Sequence, residues 1–187
     1  MIENFKNIPE ELKKLQQWVV WDVKKDNPKM PFDPTTMRAA KAGVPSTWGS
    51  YDEAVKRVVS GEAGGIGFEF AENGGYVGVD LDTVRDPVTG CTADYAVDII
   101  GQLGSYTEVS PSGYGYHIIC RADIVLENNK GALPENGIIR PDIDEATGKQ
   151  KKDKDGTLKF KRSEIEMYNK GRYFTMTGLL YCEKGAV

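Results

Sequence analysis

Two hydrophobic rhythms alternate along the chain. Tyr76-Val77-Gly78-Val79-Asp80-Leu81-Asp82 is apolar and β-prone and predicts a strand whose odd and even positions face opposite sides. Strands are likewise predicted at 17–23, 64–70, 106–109, 116–120, 164–168 and 172–176. Asn73-Gly74-Gly75 and Asn169-Lys170-Gly171 carry tight-turn chemistry between neighbouring strands, so 64–82 and 164–176 each read as a hairpin. Helical spacing appears three times. Pro9-Glu10-Glu11 opens a short helix with Leu12 and Leu15 inward. Ser50-Tyr51-Asp52-Glu53 is a capping box ahead of Ala54, Val55, Val58 and Val59, and that helix stops at Gly61. Thr92 is placed to cap a helix over 93–103, with Tyr95, Ile99 and Leu103 on one stripe. The whole predicts an α+β fold, a mixed, largely antiparallel sheet with flanking helices.

One stretch breaks both rhythms. From about 123 to 162 the chain turns polar, with Gly, Pro and charge, and is expected to be a long insertion in a single domain spanning 1–187. The 187 residues carry a net charge of −4, which removes any overall basic signature for nucleic acid. Yet Lys149 to Arg162 holds seven basic residues and two acidic ones. Lys151, Lys152 and Lys154 are therefore candidate nucleic-acid contacts, as is Lys29 in a Pro-punctuated loop. A solvated Lys-rich loop explains the same residues. Trp18, Trp21 and Trp48 sit in or beside predicted elements and are expected in the core. Cys91, Cys120 and Cys182 are widely spaced and form no C-x-x-C pair, which argues against a disulfide framework and structural zinc, and for inert core thiols. Neither an N-terminal signal core nor a membrane-length apolar run is present, so the expected location is cytoplasmic.

Three segments carry chemistry. Asp80 and Asp82 project from the same strand face, and two like charges held close favour a cation between them. All-oxygen ligands suit Mg²⁺ or Mn²⁺. A solvated strand end explains the spacing equally. Ser112-Gly113-Tyr114-Gly115-Tyr116-His117 joins a Gly-rich turn, able to bring backbone N–H groups to a phosphate, to the chain's single histidine. His117 could equally be a satisfied core residue. Glu164 and Glu166 share a strand face, and Arg172 follows, its guanidinium fork suited to phosphate or to a cross-strand ion pair. The chain has no G-x-x-x-x-G-K-[ST] loop. Val84 and Arg85 stand where an EF-hand needs a ligand and glycine, and nothing points to a hydrolase triad.

Taken in order, the Asp-x-Asp strand, Ser-Gly-x-Gly-x-His and Ile-Glu-x-Tyr followed by Gly-Arg-Tyr-Phe-Thr-x-Thr-Gly resemble the primase-polymerase domain of the archaeo-eukaryotic primase superfamily. The phage and plasmid replication type is the nearest in pattern. The flanks Leu-x-x-Leu-x-Gln-Trp-Val-Val-Trp and Thr47-Trp48-Gly49-Ser50 extend the resemblance over most of the chain. It implies an RRM-like catalytic core and template-directed nucleotidyl transfer by two Mg²⁺ or Mn²⁺ ions, in DNA priming or polymerisation. On that pattern Asp80, Asp82 and Glu166 match the metal-binding acids, with Glu164 as the fallback for the third. His117 matches the phosphate-contacting histidine, Ser112, Gly113 and Gly115 its loop, and Arg172 the triphosphate-holding arginine. The implied partners are single-stranded DNA, nucleoside triphosphates and a helicase or accessory domain, in a bacterial, phage- or plasmid-associated setting without a membrane. Tyr114 departs from the small or basic residue common in relatives. Two rival functions stay open: a non-catalytic nucleic-acid-binding relative, and an Asp-x-Asp glycosyltransferase.

Overall fold

The computed structural model describes residues 2–22, 30–124, 126, 131–132, 134, 136–144 and 147–182. Within them the chain forms α1 (Glu10–Lys13), β1 (Trp18–Trp21), α2 (Tyr51–Val59), β2 (Gly65–Glu69), β3 (Tyr76–Asp82) and α3 (Asp94–Leu103). There follow β4 (Tyr106–Val109), β5 (Tyr116–Arg121), β6 (Gly131–Ala132), β7 (Ile139–Pro141), β8 (Phe160–Arg162), β9 (Glu164–Tyr168) and β10 (Tyr173–Met176). The strands make a three-stranded sheet, β1-β2-β10, a five-stranded sheet, β4-β5-β3-β9-β6, and a two-stranded ribbon, β7-β8, with every pairing antiparallel. The fold is α+β, as its two rhythms predict.

β3 shows how the pattern places the layers. Val79 and Leu81 point to one face, where they meet Ile118, Tyr116 and Val109 from the neighbouring strands and Ala96 and Ile100 from α3. Each such fully buried aliphatic side chain contributes about 1.5–3 kcal/mol. On the other face Gly78 leaves room for the rings of Phe70 and Phe174, which a Cβ there would strike. Those rings belong to the core of the three-stranded sheet, with Trp18, Ile66, Phe68 and Met176, and Ile119 and Tyr168 join it from the five-stranded sheet. Gly78 thus fixes how closely the sheets approach. The β3 face that is core at Gly78 carries Asp80 and Asp82 two and four residues on.

Neither expected hairpin forms. β2 pairs with β1 and β10, while β3 pairs with β5 and β9. Both turns instead carry the chain from one sheet to the other, because Phe70 and Phe174 pack over the five-stranded sheet instead of extending its edge. The two crossovers lie together: Lys170 Nζ meets Glu72 Oε1 at 2.7 Å, and Phe70 N–H donates to the Arg172 carbonyl at 2.9 Å.

The capping box on α2 forms in both directions, and Ala54 is buried, but Val59 is 64% exposed. Thr92 does not cap α3. Its hydroxyl is engaged with the Tyr116 hydroxyl at 2.7 Å, and the buried residues of α3 are Ala96 and Ile100, with Leu103 at the exposed end. The three tryptophans are buried. No disulfide forms among the described residues, yet Cys91 and Cys182 are exposed and so are not core residues. Among the described residues no helix is long and apolar enough to cross a membrane.

Glu69 is buried at the end of β2, and among the described residues neither of its carboxylate oxygens has a hydrogen-bond partner. Burial pushes its carboxyl from 4.5 to about 7. The folded chain therefore holds a proton that the unfolded chain has lost, and stability falls as pH rises from 4.5 through 7, by roughly 3 kcal/mol at most. Glu69→Gln should flatten that loss, measured as melting temperature at pH 5 and pH 8. An unchanged pH dependence would show that Glu69 does not titrate in this window.

Candidate active site

The register of the five-stranded sheet lines up four ionisable side chains. Glu108 on β4 faces His117 on β5, His117 faces Asp80 on β3, and Asp80 faces Glu166 on β9. Directly opposed residues in antiparallel strands share a sheet face, with Cα atoms about 4.5–5.5 Å apart. Asp82 faces Glu164 two pairs further along, on the same sheet face. Asp80, Asp82, His117, Glu166, Tyr168 and Arg172 all border one cavity of about 500 Å³, closed on another side by Pro31, Ala40 and Ala42. Residues from 31 to 175 thus meet in one place.

His117 is the most constrained of these groups. It is 7% exposed, and its ring stacks on Phe174 with centroids 4.4 Å apart and planes 16° from parallel. Nε2 lies 4.0 Å from Asp80 Oδ1, and Nδ1 lies 3.6 Å from Glu108 Oε1, just beyond hydrogen-bond length. Burial is the largest single influence and opposes the imidazolium. Glu108, Asp80 and the Thr175 carbonyl together outweigh it and hold the ring above its ordinary 6.5.

Glu108 escapes a reading by motif. Its carboxylate is fully buried and accepts from Tyr106 Oη at 2.7 Å, Thr177 N–H at 2.9 Å and Gly178 N–H at 2.8 Å. It ties the turn after β10 to β4 while standing behind the histidine. The available signal was a glutamate in the middle of the β-prone Tyr106-Thr107-Glu108-Val109, since carboxylates are almost never fully buried without partners.

The other expected residues divide. Arg172 is exposed at the cavity edge, its guanidinium 5.1 Å from the Tyr168 ring centre. Burial first, then the Glu166 carboxylate, pushes the Tyr168 phenol up, which keeps it protonated. Ser112, Gly113 and Gly115 do not border the cavity. Their turn is closed on itself: Gly113 N–H donates to the Ser110 carbonyl, Ser110 N–H to the Gly115 carbonyl, and Ser112 Oγ accepts from Tyr114 N–H. A Cβ on Gly115 would collide with the Leu81 backbone, so this glycine lets the turn lie against the end of β3. Tyr114 has a local partner, the Arg140 guanidinium 3.7 Å above its ring. Lys151, Lys152 and Lys154 are exposed and away from the cavity, and Lys29 lies outside the described residues.

The acids suit a hard divalent cation by type, all being carboxylate oxygens on one face. Among the described residues, however, no group of three or more His, Cys, Asp or Glu side chains stands arranged to hold a metal ion. Asp80, Asp82 and Glu166 share the cavity without converging.

No protein-family model matches the chain. It is 33% identical over 170 residues to a DNA primase-polymerase of Nitratiruptor phage NrS-1, an alignment that covers 91% of this chain and 20% of that protein. The chain thus spans about a fifth of the length of the curated relative it matches.

Proposed function

The chain belongs to the phage primase-polymerase family, and from that premise we propose that it catalyses template-directed nucleotidyl transfer on single-stranded DNA. The observation that carries this reading is the row Glu108–His117–Asp80–Glu166, joined by Asp82 and Arg172 around one cavity. In the proposed step a 3′-hydroxyl oxygen bonds to the α-phosphorus of a nucleoside triphosphate. The bond from that phosphorus to the β-bridging oxygen breaks, pyrophosphate leaves, and the hydroxyl proton passes to solvent.

Asp80, Asp82 and Glu166 would hold Mg²⁺ or Mn²⁺, drawn together by the cation from positions that already share a face. Two such ions, when bound, would activate the hydroxyl and neutralise the departing pyrophosphate. His117, whose affinity for a proton its carboxylate neighbours raise against the effect of burial, borders the cavity, where its protonated form would neutralise a phosphate oxygen. Arg172 would hold the outer phosphates from the rim, its fork matching two oxygens at once. Ser112, Gly113 and Gly115 enter the proposal as the turn that feeds His117 into β5. Glu166 is the stronger third acid, since it opposes Asp80 and borders the cavity, whereas Glu164 opposes Asp82 from an exposed position. A helicase or accessory domain, in the same or another chain, would be its partner.

The test is primer synthesis and extension on single-stranded DNA with Mn²⁺, read beside binding of labelled nucleotides. Extension products and metal-dependent binding of several triphosphates are expected. Binding of sugar nucleotides in their place would move the chain to the glycosyltransferase class. DNA binding with neither product nor triphosphate binding would make it a non-catalytic relative.

A further inference from the structure

The ribbon β7–β8 exposes an apolar face in the most basic part of the chain. Ile139 opposes Arg162 and Pro141 opposes Phe160, so these four side chains share one face, and an isolated bridge pairs Lys152 with Leu158, two residues before Phe160. Ile139 is 58% exposed, Phe160 56% and Leu158 46%. The opposite face is partly covered. Arg140 lies over the Tyr114 ring, and Asp142 pairs with the exposed Lys151 at 3.4 Å. A two-stranded ribbon with its aromatic outward and an arginine inward reverses the usual arrangement, and exposed apolar clusters of this kind mark contact surfaces.

The charge around the patch identifies the partner. Lys152, Lys154 and Arg162 carry no ion pair among the described residues. An exposed aromatic ring flanked by unpaired cations is the combination that holds single-stranded nucleic acid, the ring stacking a base and the cations neutralising phosphates. Position supports the same partner. Ser163, the residue between β8 and β9, donates through Oγ to the Thr83 carbonyl at 2.6 Å and accepts from Ile138 N–H at 2.7 Å, while Arg140 Nε donates to Thr83 Oγ1 at 3.3 Å. Thr83 directly follows Asp82. The ribbon is therefore rooted at the rim of the cavity, and a strand lying on its outer face would be led toward the acids.

We propose that the Phe160 face of this ribbon is a stacking platform for single-stranded DNA, with Phe160 against a base and Lys152 and Arg162 on the adjoining phosphates. The proposal rests on the polymerase reading for the identity of the strand, but not for the existence of the platform. Its measurement is anisotropy of a labelled oligothymidylate titrated with the 187-residue chain at several salt concentrations. Phe160→Ala should weaken binding roughly tenfold or more, whereas Phe160→Trp should retain it and show indole quenching on saturation. Lys152→Ala/Arg162→Ala should lower the salt slope by about 1.4, at roughly 0.7 per single-strand phosphate contact. Triphosphate binding should stay unchanged in all of these variants, which separates lost contact from lost fold. Wild-type affinity in Phe160→Ala would overturn the platform while leaving the polymerase reading intact. If the wild-type chain extends primers but the oligonucleotide does not quench Phe160→Trp, the ribbon face belongs to a protein partner and the proposal fails. If it neither extends primers nor binds the oligonucleotide, both readings fail.

Discussion

Asp80→Asn/Asp82→Asn should abolish primer extension while the protein melts within a few degrees of the wild type. The loss should reach a hundred- to a thousandfold or more, the scale seen when one preorganised group that stabilises transition-state charge is removed. Folding should be nearly unaffected for a physical reason. The two aspartates share a face with Glu166 and Glu164 directly opposite them, so neutralising them relieves like-charge repulsion across the β3–β9 pair, which offsets the loss of Asp80's attraction for the His117 ring 4.0 Å away. Both are half-buried, and neither belongs to the Phe70–Phe174 core that begins at Gly78. Glu166→Gln should lose activity on the same scale. Glu164→Gln should change it only a few-fold, as exposed substitutions usually do. Steady-state extension with matched circular-dichroism melts checks the series. Retained activity in the double variant would remove the aspartates from the chemistry. A larger loss in Glu164→Gln than in Glu166→Gln would transfer the third role to Glu164.

What sequence could show of this site depended on distance along the chain. Asp80 and Asp82 were legible as a pair because alternation within one strand fixes their common face. The α2 cap was legible because its partners, Ser50 and Glu53, are three residues apart and satisfy each other. Pairing was not. Neighbouring strands joined by Asn73-Gly74-Gly75 or Asn169-Lys170-Gly171 were expected to lie side by side, which consecutive strands do about two-thirds of the time. Here bulky Phe70 and Phe174 gain more by stacking over Gly78 and His117 than by sitting at a sheet edge, so both turns became crossovers. That change of topology makes the site. It carries Phe174 beneath the histidine and leaves β9, with Glu166, beside β3. The ribbon's attachment was equally hidden, because Ser163 and Thr83 stand 80 positions apart. The role of Glu108 was hidden for the same reason: an acid inside a β-prone stretch was visible, but its anchors Thr177 and Gly178 lie about 70 residues downstream, and nothing local marks the backbone N–H groups that hold it.

Glu108→Gln, though nearly isosteric, is expected to be the most damaging single change to stability near the site. The carboxylate presents one oxygen to Thr177 N–H and the other to both Gly178 N–H and Tyr106 O–H. A glutamine has one accepting oxygen, so whichever way its amide is turned, an N–H group confronts another donor in a site with no water access. An unsatisfied buried donor costs about 1–3 kcal/mol. Loss of the negative partner of a buried His117 brings the total to about 3–5 kcal/mol, the range for breaking a buried ion pair from one side. In a chain of this size that lowers the melting temperature by roughly 6–20 °C. The function should suffer by a separate route. Without Glu108, burial, the strongest influence on the His117 ring, opposes its positive charge with only Asp80 and the Thr175 carbonyl against it, and triphosphate affinity should fall even at temperatures where the variant is folded. A double-mutant cycle separates the two routes. If Glu108 acts through His117, adding His117→Gln to Glu108→Gln should cost triphosphate affinity little beyond either single change, a coupling of about 1–2 kcal/mol. If Glu108 only staples Thr177 and Gly178 to β4, the affinity losses should add and the melting loss should remain whole in the His117→Gln background. A fully stable Glu108→Gln variant would contradict both, and would mean that the buried oxygens are not the acceptors that the geometry makes them.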